Sequence, residues 1–181
     1  LEAIDDTLKT ADDVTLALDL LVVGEIPDVT DVASKKRSHR KRAATAARSD
    51  SSKKINPALV TVAQPRSAAA EAYRELRTAV LTARSGEPLR TLVVTSSEPG
   101  EGKTTTAINL AAALGQMGRA VLLIDTDLRR PNCHRILRVR SERGVSSYLK
   151  QGDAIAPLIV PTQLGGVSLL PSGPVPPDPA E

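Results

Sequence analysis

The sequence predicts an α/β fold built on a parallel central sheet, from two apolar runs and the segment that separates them. The run within 89–96 is followed at once by a glycine-rich turn and then by a helical pattern over 104–117. A second run, 120–125, lacks polar alternation, which is typical of a parallel strand buried on both faces. Strand, helix and strand in this order imply the right-handed crossover of an α/β sheet.

Shorter elements are predicted on both sides of this unit. Residues 67–84 place apolar side chains at intervals of three and four, which predicts an amphipathic helix. Asp12 and Asp13 are suited to cap a helix that runs through Leu21. The remaining predicted elements are a short strand at 22–27, a helix at 144–151 and a strand at 167–171.

The composition favours one globular domain with appendages. Hydrophobic residues make up 41% of the 181 residues, but Phe and Trp are absent, so the core must consist mainly of Leu, Val, Ile and Ala. A single cysteine excludes an intramolecular disulfide and suits a reducing compartment. The longest apolar stretch, 16–23, contains Asp19 and is shorter than the roughly 18 residues of a membrane span.

A basic segment separates the two ordered parts of the sequence. Residues 35–54 contain nine Lys or Arg and one acid, Asp50, with almost nothing apolar between them. Such a composition predicts a disordered linker. It suits an anionic membrane face, a nucleic acid or a merely solvated tether. We expect no nucleic-acid binding, because the aromatic residues that a nucleic-acid surface interleaves are absent.

The glycine-rich turn has the composition of a phosphate-binding loop. Its glycines let backbone N–H groups point at phosphate oxygens, and the following helix adds its positive end. Lys103 can reach the β- and γ-phosphates, and the Thr104 hydroxyl can ligate Mg²⁺. Ser97 stands where the motif has its first glycine, and a chance turn would leave Gly-Lys-Thr unexplained. The predicted nucleotide-binding residues are Ser97, Glu98, Pro99, Gly100, Glu101, Gly102, Lys103, Thr104 and Thr105.

Two acids follow the second apolar run. The carboxyl ends of parallel strands lie on the side of the sheet where a phosphate loop lies, so Asp125 and Asp127 are expected to face the Mg²⁺–phosphate group. A carboxylate there can hold Mg²⁺ directly or through water, or accept the proton of an attacking hydroxyl. The alternative is that both carboxylates cap the next helix. Thr104, Asp125 and Asp127 are thus the candidate metal ligands.

These motifs resemble those of the cytoplasmic ATPase domain of bacterial tyrosine autokinases, the BY-kinases, which are polysaccharide co-polymerases. Segment 96–104 is similar to the family's first Walker motif, in which Ser or Ala often occupies the position of Ser97. Segment 121–129 is similar to its Walker A′ motif. Residues 131–134 and the proline-rich 169–181 resemble the segments that follow in that family.

The resemblance implies a domain organisation. It covers about residues 1–27 and 65–181 and implies a juxtamembrane segment at 1–27, the basic linker at 28–64 and a P-loop tyrosine-kinase domain at 65–181. The family's Walker B strand and its phosphorylated tyrosines are expected beyond residue 181. We therefore expect a P-loop NTPase (Rossmann-like) fold that is incomplete at the C-terminus, and weak or absent kinase activity of this segment alone.

The resemblance also implies a function. It implies an ATP- and Mg²⁺-dependent tyrosine autokinase that regulates capsular or exopolysaccharide biosynthesis and export at the cytoplasmic face of the bacterial plasma membrane. Lys103, Asp125 and Asp127 are then the catalytic residues. A membrane activator domain or subunit is an expected partner. The family's E-x-x-R-x-x-R element matches Glu71, Arg74 and Arg77 and is implied to join neighbouring subunits in a ring, whereas on spacing alone it would be a self-paired, exposed helix face.

Two other functions remain open at this stage. One is a non-catalytic nucleotide switch, in which ATP governs assembly and no transfer occurs. The other is a partition or septum-site ATPase of the ParA/MinD type. That class carries a signature lysine five residues before the loop lysine, where this chain has Glu98. An acid cannot reach a partner's phosphates as that lysine does, which argues against this class.

Four further side chains are assigned to structural roles. His134 is expected to pack or to cap a helix, and Cys133 has no suitable partners for a metal site. Tyr73 and Tyr148 lie on predicted helices and are expected to pack there rather than to accept phosphate.

Overall fold

The computed structural model describes residues 10–27, 55–83 and 88–178. The basic segment 35–54 lies outside these ranges. The described elements are, in chain order, α1 (Ala11–Leu18), α2 (Val60–Ala63), α3 (Ala68–Thr82), α4 (Lys103–Gly115), β1 (Val121–Ile124), α5 (Cys133–Leu137), α6 (Val145–Gln151), a 3₁₀ helix (Ala156–Leu158), β2 (Val160–Pro161) and β3 (Val167–Leu170). No helix in the described ranges is both long and apolar enough to cross a bilayer.

The sheet has β3 at its centre. β1 pairs with β3 in parallel, from Val121 opposite Val167 to Ile124 opposite Leu170. The short β2 pairs with the other edge of β3 and is antiparallel to it. Pro161 cannot donate a backbone hydrogen bond, so this two-residue strand suits an edge position. The parallel pairing was predicted, and the antiparallel edge strand was not.

Helix α4 covers one face of the sheet and supplies much of the core. Its Ile108, Ala111 and Ala112 are buried together with residues from α5 and β3. The carboxyl end of α4 lies so close to the turn before β3 that a Cβ atom on Gly115 would be 2.2 Å from the Gly165 carbonyl oxygen. Because α4 ends beside the start of β3 and runs back along the sheet, it begins at the edge where the parallel strands end.

Helix α3 packs on α4 as a further layer. Its N-cap Ser67 accepts a hydrogen bond from the Ala70 N–H, and its apolar stripe includes the buried Tyr73 and Leu76. Burial raises the pKa of the Tyr73 hydroxyl, and a hydrogen bond with Thr106 of α4 opposes part of that effect. The amphipathic helix predicted at 67–84 is thus confirmed over 68–82, and Tyr73 packs in the core as expected.

Asn109 joins the segment before α3 to α4. Its Oδ1 accepts hydrogen bonds from the Thr61 amide, at 3.1 Å, and from the Thr61 hydroxyl, at 3.0 Å. Its Nδ2 donates to the carbonyl oxygens of Ala58, at 2.7 Å, and Thr105, at 2.9 Å. The side chain is fully buried, and all of its donors are used. Order therefore begins before residue 65, because 55–64 belongs to the packed part of the chain.

Two of the predicted strands are absent from the described structure. Residues 22–27 and 88–96 form no ladder with any described strand. A strand requires a neighbour that accepts and donates its backbone hydrogen bonds, and an apolar run cannot supply that neighbour by itself. Without such a neighbour the run also stays open to solvent, and Val93 is 80% exposed. The glycine-rich turn therefore follows a segment that pairs with no described strand.

The prediction that β1 is buried on both faces was also wrong. Val121 and Leu123 face the core, whereas Leu122 and Ile124 are 43% and 48% exposed. The described helices that contact β1 lie on one face only, so alternate residues remain uncovered. β3 differs from β1, because Leu170 contacts the cluster that Val145 and Leu158 form on the opposite face.

We predict that Asn109→Ala lowers the free energy of unfolding by about 3 kcal/mol, because it leaves the buried Thr61 amide and Ala58 carbonyl without partners. Denaturation in urea would measure the loss. Asn132→Ala is the matched control, since Asn132 is exposed and its side chain forms no hydrogen bond with a described residue. Equal stability of the two variants would contradict the role given to Asn109.

Candidate functional site

The glycine-rich turn is shaped by two residues with positive φ. Gly100 and Gly102 have φ values of 92° and 91°, a conformation that side chains disfavour. Nothing lies within 4 Å of a Cβ atom added to either glycine, so the backbone conformation and not a lack of space requires glycine. Gly102 is the N-cap of α4, and its carbonyl accepts a hydrogen bond from the Thr106 N–H.

Lys103 folds back over the turn. Its ammonium group donates to Ser96 Oγ at 2.7 Å and to the Glu98 carbonyl oxygen at 2.9 Å. Ser96 Oγ in turn donates to the same carbonyl oxygen at 2.9 Å. The lysine thus lies at the mouth of the turn, held by two neutral oxygens. Ser96 was not among the predicted site residues, although it is the last residue of the apolar run.

Glu101 forms a brace across the turn. Its Oε2 accepts a hydrogen bond from the Glu98 N–H at 3.0 Å, and its Oε1 accepts one from Ser97 Oγ at 3.2 Å. The Glu98 amide is the main cause of the lowered pKa of the Glu101 carboxyl, with smaller contributions from Ser96, Ser97 and Lys103. Serine in place of the motif's first glycine thus supplies a hydroxyl to the brace.

Asp125 is a buried carboxylate that organises the loop after β1. Its Oδ1 accepts a hydrogen bond from the Asp127 N–H at 3.3 Å, and its Oδ2 accepts one from the Cys133 N–H at 3.1 Å. Both oxygens are therefore engaged by backbone amides. Burial first, and the neighbouring carboxylate of Asp125 next, raise the pKa of the Cys133 thiol, which stays protonated at neutral pH.

Asp127 is exposed and is bonded on one side only. Its Oδ1 accepts hydrogen bonds from the N–H groups of Arg129, at 3.2 Å, and Arg130, at 2.8 Å. Its Oδ2 has no hydrogen-bond partner among the described residues. Both acids therefore accept hydrogen bonds from nearby backbone amides. Only Asp125 fits the helix-capping alternative, because Cys133 is the first residue of α5. Asp127 keeps one oxygen for another ligand.

The oxygen ligands that the site offers suit a Mg²⁺ ion that binds together with a nucleotide. In the described part of the chain, no three His, Cys, Asp or Glu side chains are grouped so that they could hold a metal ion. Mg²⁺ commonly takes only one or two protein ligands and completes its shell with water and phosphate oxygens. Asp127 Oδ2 and the Thr104 hydroxyl, in the first turn of α4, are oxygen ligands of the required kind.

Three arginines near these acids were not predicted as site residues. Arg129, Arg130 and Arg135 line a cavity beside the Asp127 turn, and His134 lines it too. The available sequence signal was the pair Arg129-Arg130, which follows the Asp-x-Asp motif after one intervening residue, Leu128. Arg135 carried no signal, because its place in the group depends on the fold of α5.

The three residues of the E-x-x-R-x-x-R element are not equivalent. Glu71 and Arg74 form an ion pair on the surface of α3, and Arg74 also donates to the Pro65 carbonyl oxygen. Arg77 is turned toward α4, where its Nη1 donates to the Ala113 carbonyl oxygen at 3.2 Å. The Arg77 Nε is enclosed and has no partner among the described residues.

Comparison with known proteins identifies the class of the domain. Residues 92–159 match the family described as CobQ/CobB/MinD/ParA nucleotide binding domain. The match begins in the apolar run before the turn and includes α4, β1 and both acids. Together with the glycine-rich turn at the start of α4, it defines a nucleotide-binding domain of the P-loop class, as the sequence predicted.

Individual relatives indicate a narrower family within this class. Over 123 residues the chain is 37% identical to the tyrosine-protein kinase YwqD of Bacillus subtilis, and the match covers 68% of this chain and 52% of that protein. Over 134 residues it is 34% identical to a relative from Klebsiella pneumoniae, named as a tyrosine-protein kinase in a cps region, which covers 74% of this chain and 18% of the relative.

A solved structure agrees with them. The kinase domain of the Escherichia coli tyrosine kinase ETK superposes with a TM-score of 0.74 at 30% identity, and the match covers 95% of this chain and 63% of that domain. The chain belongs to the family of bacterial tyrosine kinases, which confirms the predicted family. It spans about half the length of its Bacillus relative and a smaller part of the Klebsiella one.

We predict that Glu101→Ala weakens binding of ATP with Mg²⁺ by about three- to tenfold, the usual effect of losing one or two charge-assisted hydrogen bonds at an exposed site. Isothermal titration would measure the affinity. Glu98→Ala is the control, because Glu98 joins the turn through its backbone. Equal affinities would contradict the brace.

The lowered pKa of Glu101 fixes the sign of its pH dependence. A depressed pKa means that the brace is complete above the ordinary value of 4.5 and is lost as pH falls through the lower value in the folded protein. Nucleotide affinity should therefore show no titration of Glu101 between pH 5.5 and 8. A transition in that window that Glu101→Gln removes would contradict this assignment.

Proposed function

We propose that the chain is the nucleotide-binding part of a tyrosine autokinase that transfers the γ-phosphoryl group of ATP to tyrosine with Mg²⁺. The observation that supports this proposal most directly is the combination of a glycine-rich turn at the start of α4 with two acids, Asp125 and Asp127, after β1. Family membership supports the reaction, because the compared relatives and the superposed domain are named as tyrosine kinases. As part of this proposal, the parent protein regulates capsular or exopolysaccharide biosynthesis.

The loop residues would bind and orient the triphosphate. The positive end of α4 and the turn around Gly100 and Gly102 favour an anion. Lys103 would exchange its contacts with Ser96 and Glu98 for the β- and γ-phosphate oxygens, where it stabilises the charge that grows during transfer. Thr104 would ligate Mg²⁺, which supplies charge neutralisation when it is bound.

Asp125 and Asp127 would have different roles in metal binding and proton transfer. Asp127 is exposed and has a free Oδ2, which suits it for the Mg²⁺ shell or for accepting the proton of the tyrosine hydroxyl. In the transfer, the phenol oxygen forms a bond to the γ-phosphorus, the bond from that phosphorus to the ADP oxygen breaks, and the phenol proton passes to a carboxylate. Asp125, with both oxygens on backbone amides, would hold Asp127 in place and share metal positioning.

We predict that Lys103→Met in the full-length protein abolishes transfer of radiolabel from γ-labelled ATP to tyrosine, because the phosphoryl charge then lacks its main cationic partner. A loss of about 100-fold or more is expected for such a group. Lys150→Met, on the surface of α6, is the matched control.

The distribution of the label distinguishes the alternatives. Label on tyrosine in the wild type, lost in Lys103→Met and kept in Lys150→Met, is the expected result. Label released only as inorganic phosphate would support an ATPase of the partitioning kind instead. Binding of ATP with neither outcome would support a non-catalytic switch.

Assembly and location form a further part of the proposal. We propose that Glu71, Arg74 and Arg77 join neighbouring subunits in a ring at the cytoplasmic face of the membrane, with a membrane activator domain or subunit as partner. The basic residues 35–54 would add attraction to anionic lipid. The exposed Glu71–Arg74 pair is available to re-pair across an interface.

We predict that Glu71→Ala in the full-length protein shifts it to smaller assemblies without loss of stability, since a surface ion pair contributes little to folding. Arg74→Ala should give the same shift with a small loss of stability, because it also removes the hydrogen bond to the Pro65 carbonyl. Arg77→Ala should also destabilise the fold, because it removes a contact with α4. Light scattering and thermal unfolding would measure the two effects. Glu75→Ala, exposed on the same helix, is the control, and an unchanged assembly in both surface variants would contradict the interface.

A further inference from the structure

A cationic cavity adjoins the turn that carries Asp127. It has a volume of about 640 Å³, within the range of about 300–1,000 Å³ that is usual for ligand pockets. Its wall includes Arg129, Arg130 and Arg135, and no acidic side chain is part of its lining. The cavity therefore concentrates positive charge on one concave surface.

The three guanidinium groups are unused within the fold. None of them forms an ion pair or a side-chain hydrogen bond with a residue that the structure describes. Three other arginines, Arg74, Arg140 and Arg143, pair with the acidic side chains of Glu71, Glu142 and Asp153. Three neighbouring like charges repel one another, and an anion between them would relieve that repulsion.

A polar wall completes the cavity. His134 lines it, and the enclosed Nδ1 of this side chain has no hydrogen-bond partner. On the other side, the Gly173 N–H donates to Ser141 Oγ at 3.1 Å, which fixes that hydroxyl. The cavity thus offers an orphaned ring nitrogen and a positioned hydroxyl in addition to its guanidinium groups.

The position of the cavity next to Asp127 indicates which kind of ligand it binds. Arg129 and Arg130 are the residues whose backbone amides bind Asp127 Oδ1. The cavity therefore begins within three residues of the carboxylate to which the acceptor hydroxyl must come. A peptide that places its tyrosine at Asp127 would lay the neighbouring residues across the arginines.

We propose that this cavity binds the acidic residues that flank the acceptor tyrosine of a peptide segment. The inference rests on the proposed kinase function and specifies its substrate class. Guanidinium groups bind carboxylates through two parallel hydrogen bonds, which gives register as well as affinity. Arg130 and Arg135 act as positioning residues, since they hold the peptide and take no part in the transfer.

The test uses the full-length protein and fluorescein-labelled peptides with glutamates on both sides of the acceptor position. Phe replaces Tyr for binding by fluorescence anisotropy, and Tyr is kept for kinetics. Arg130→Gln and Arg135→Gln should each raise Kd and KM about three- to tenfold, typical of one lost charge-assisted contact, with kcat and ATP affinity unchanged. Arg135→Lys should recover part of the loss.

Two controls isolate the charge. Arg140→Gln removes an exposed arginine that pairs with Glu142 outside the cavity and should change nothing. A peptide with Gln in place of Glu should bind weakly and equally to all variants. Unchanged Kd and KM of the glutamate peptide in both cavity variants would overturn the inference, as would displacement of the Phe peptide by ATP or inorganic phosphate.

The outcomes for the inference and for the kinase proposal are separate. Charge-dependent binding of the Phe peptide by a full-length protein that labels neither the Tyr peptide nor its own tyrosines would support the cavity and refute the kinase. Transfer that is indifferent to Arg130 and Arg135 would support the kinase and refute the cavity.

Discussion

The close approach of α4 to the turn before β3 is the constraint on which the site depends. Only glycine at 115 allows the helix to end against the Gly165 carbonyl, because a Cβ atom would overlap that oxygen. With its end fixed at the start of the strands, the helix must begin where the strands finish. The start of α4, with the glycine-rich turn before it, therefore lies toward the edge of the sheet at which β1 ends.

The opposite side of α4 is fastened by polar contacts. Asn109 uses its amide group to bind residues 58 and 61, and Arg77 bonds the carbonyl of Ala113 near the helix end. Because buried polar groups are costly unless they are paired, these contacts select one position of α3 and its preceding segment. The helix that carries the phosphate loop is thereby held from both faces.

Local patterns predicted those parts of the fold that local sequence controls. The helices at 68–82 and 103–115 follow apolar periodicity, and the strands at 121–124 and 167–170 follow apolar runs. The run at 89–96 failed as a strand because pairing depends on a neighbour. The positive-φ glycine turn beside Lys103 and the backbone turn held by Asp125 follow short local motifs, so both could be predicted as candidate features from the sequence. Arg135 was not predictable, since it reaches the cavity only through the fold of α5.

Charge in the loop is arranged so that a phosphate group replaces weak contacts by strong ones. Lys103 is bonded to two neutral oxygens, which attract its ammonium group less strongly than anionic oxygens do. Phosphate oxygens would add the attraction of an opposite charge to hydrogen bonds of the same kind. Glu101, in contrast, binds the Glu98 amide and the Ser97 hydroxyl, so the turn keeps its shape when the lysine moves. In the proposed function, Glu101 would preserve the turn while Lys103 moves to the nucleotide.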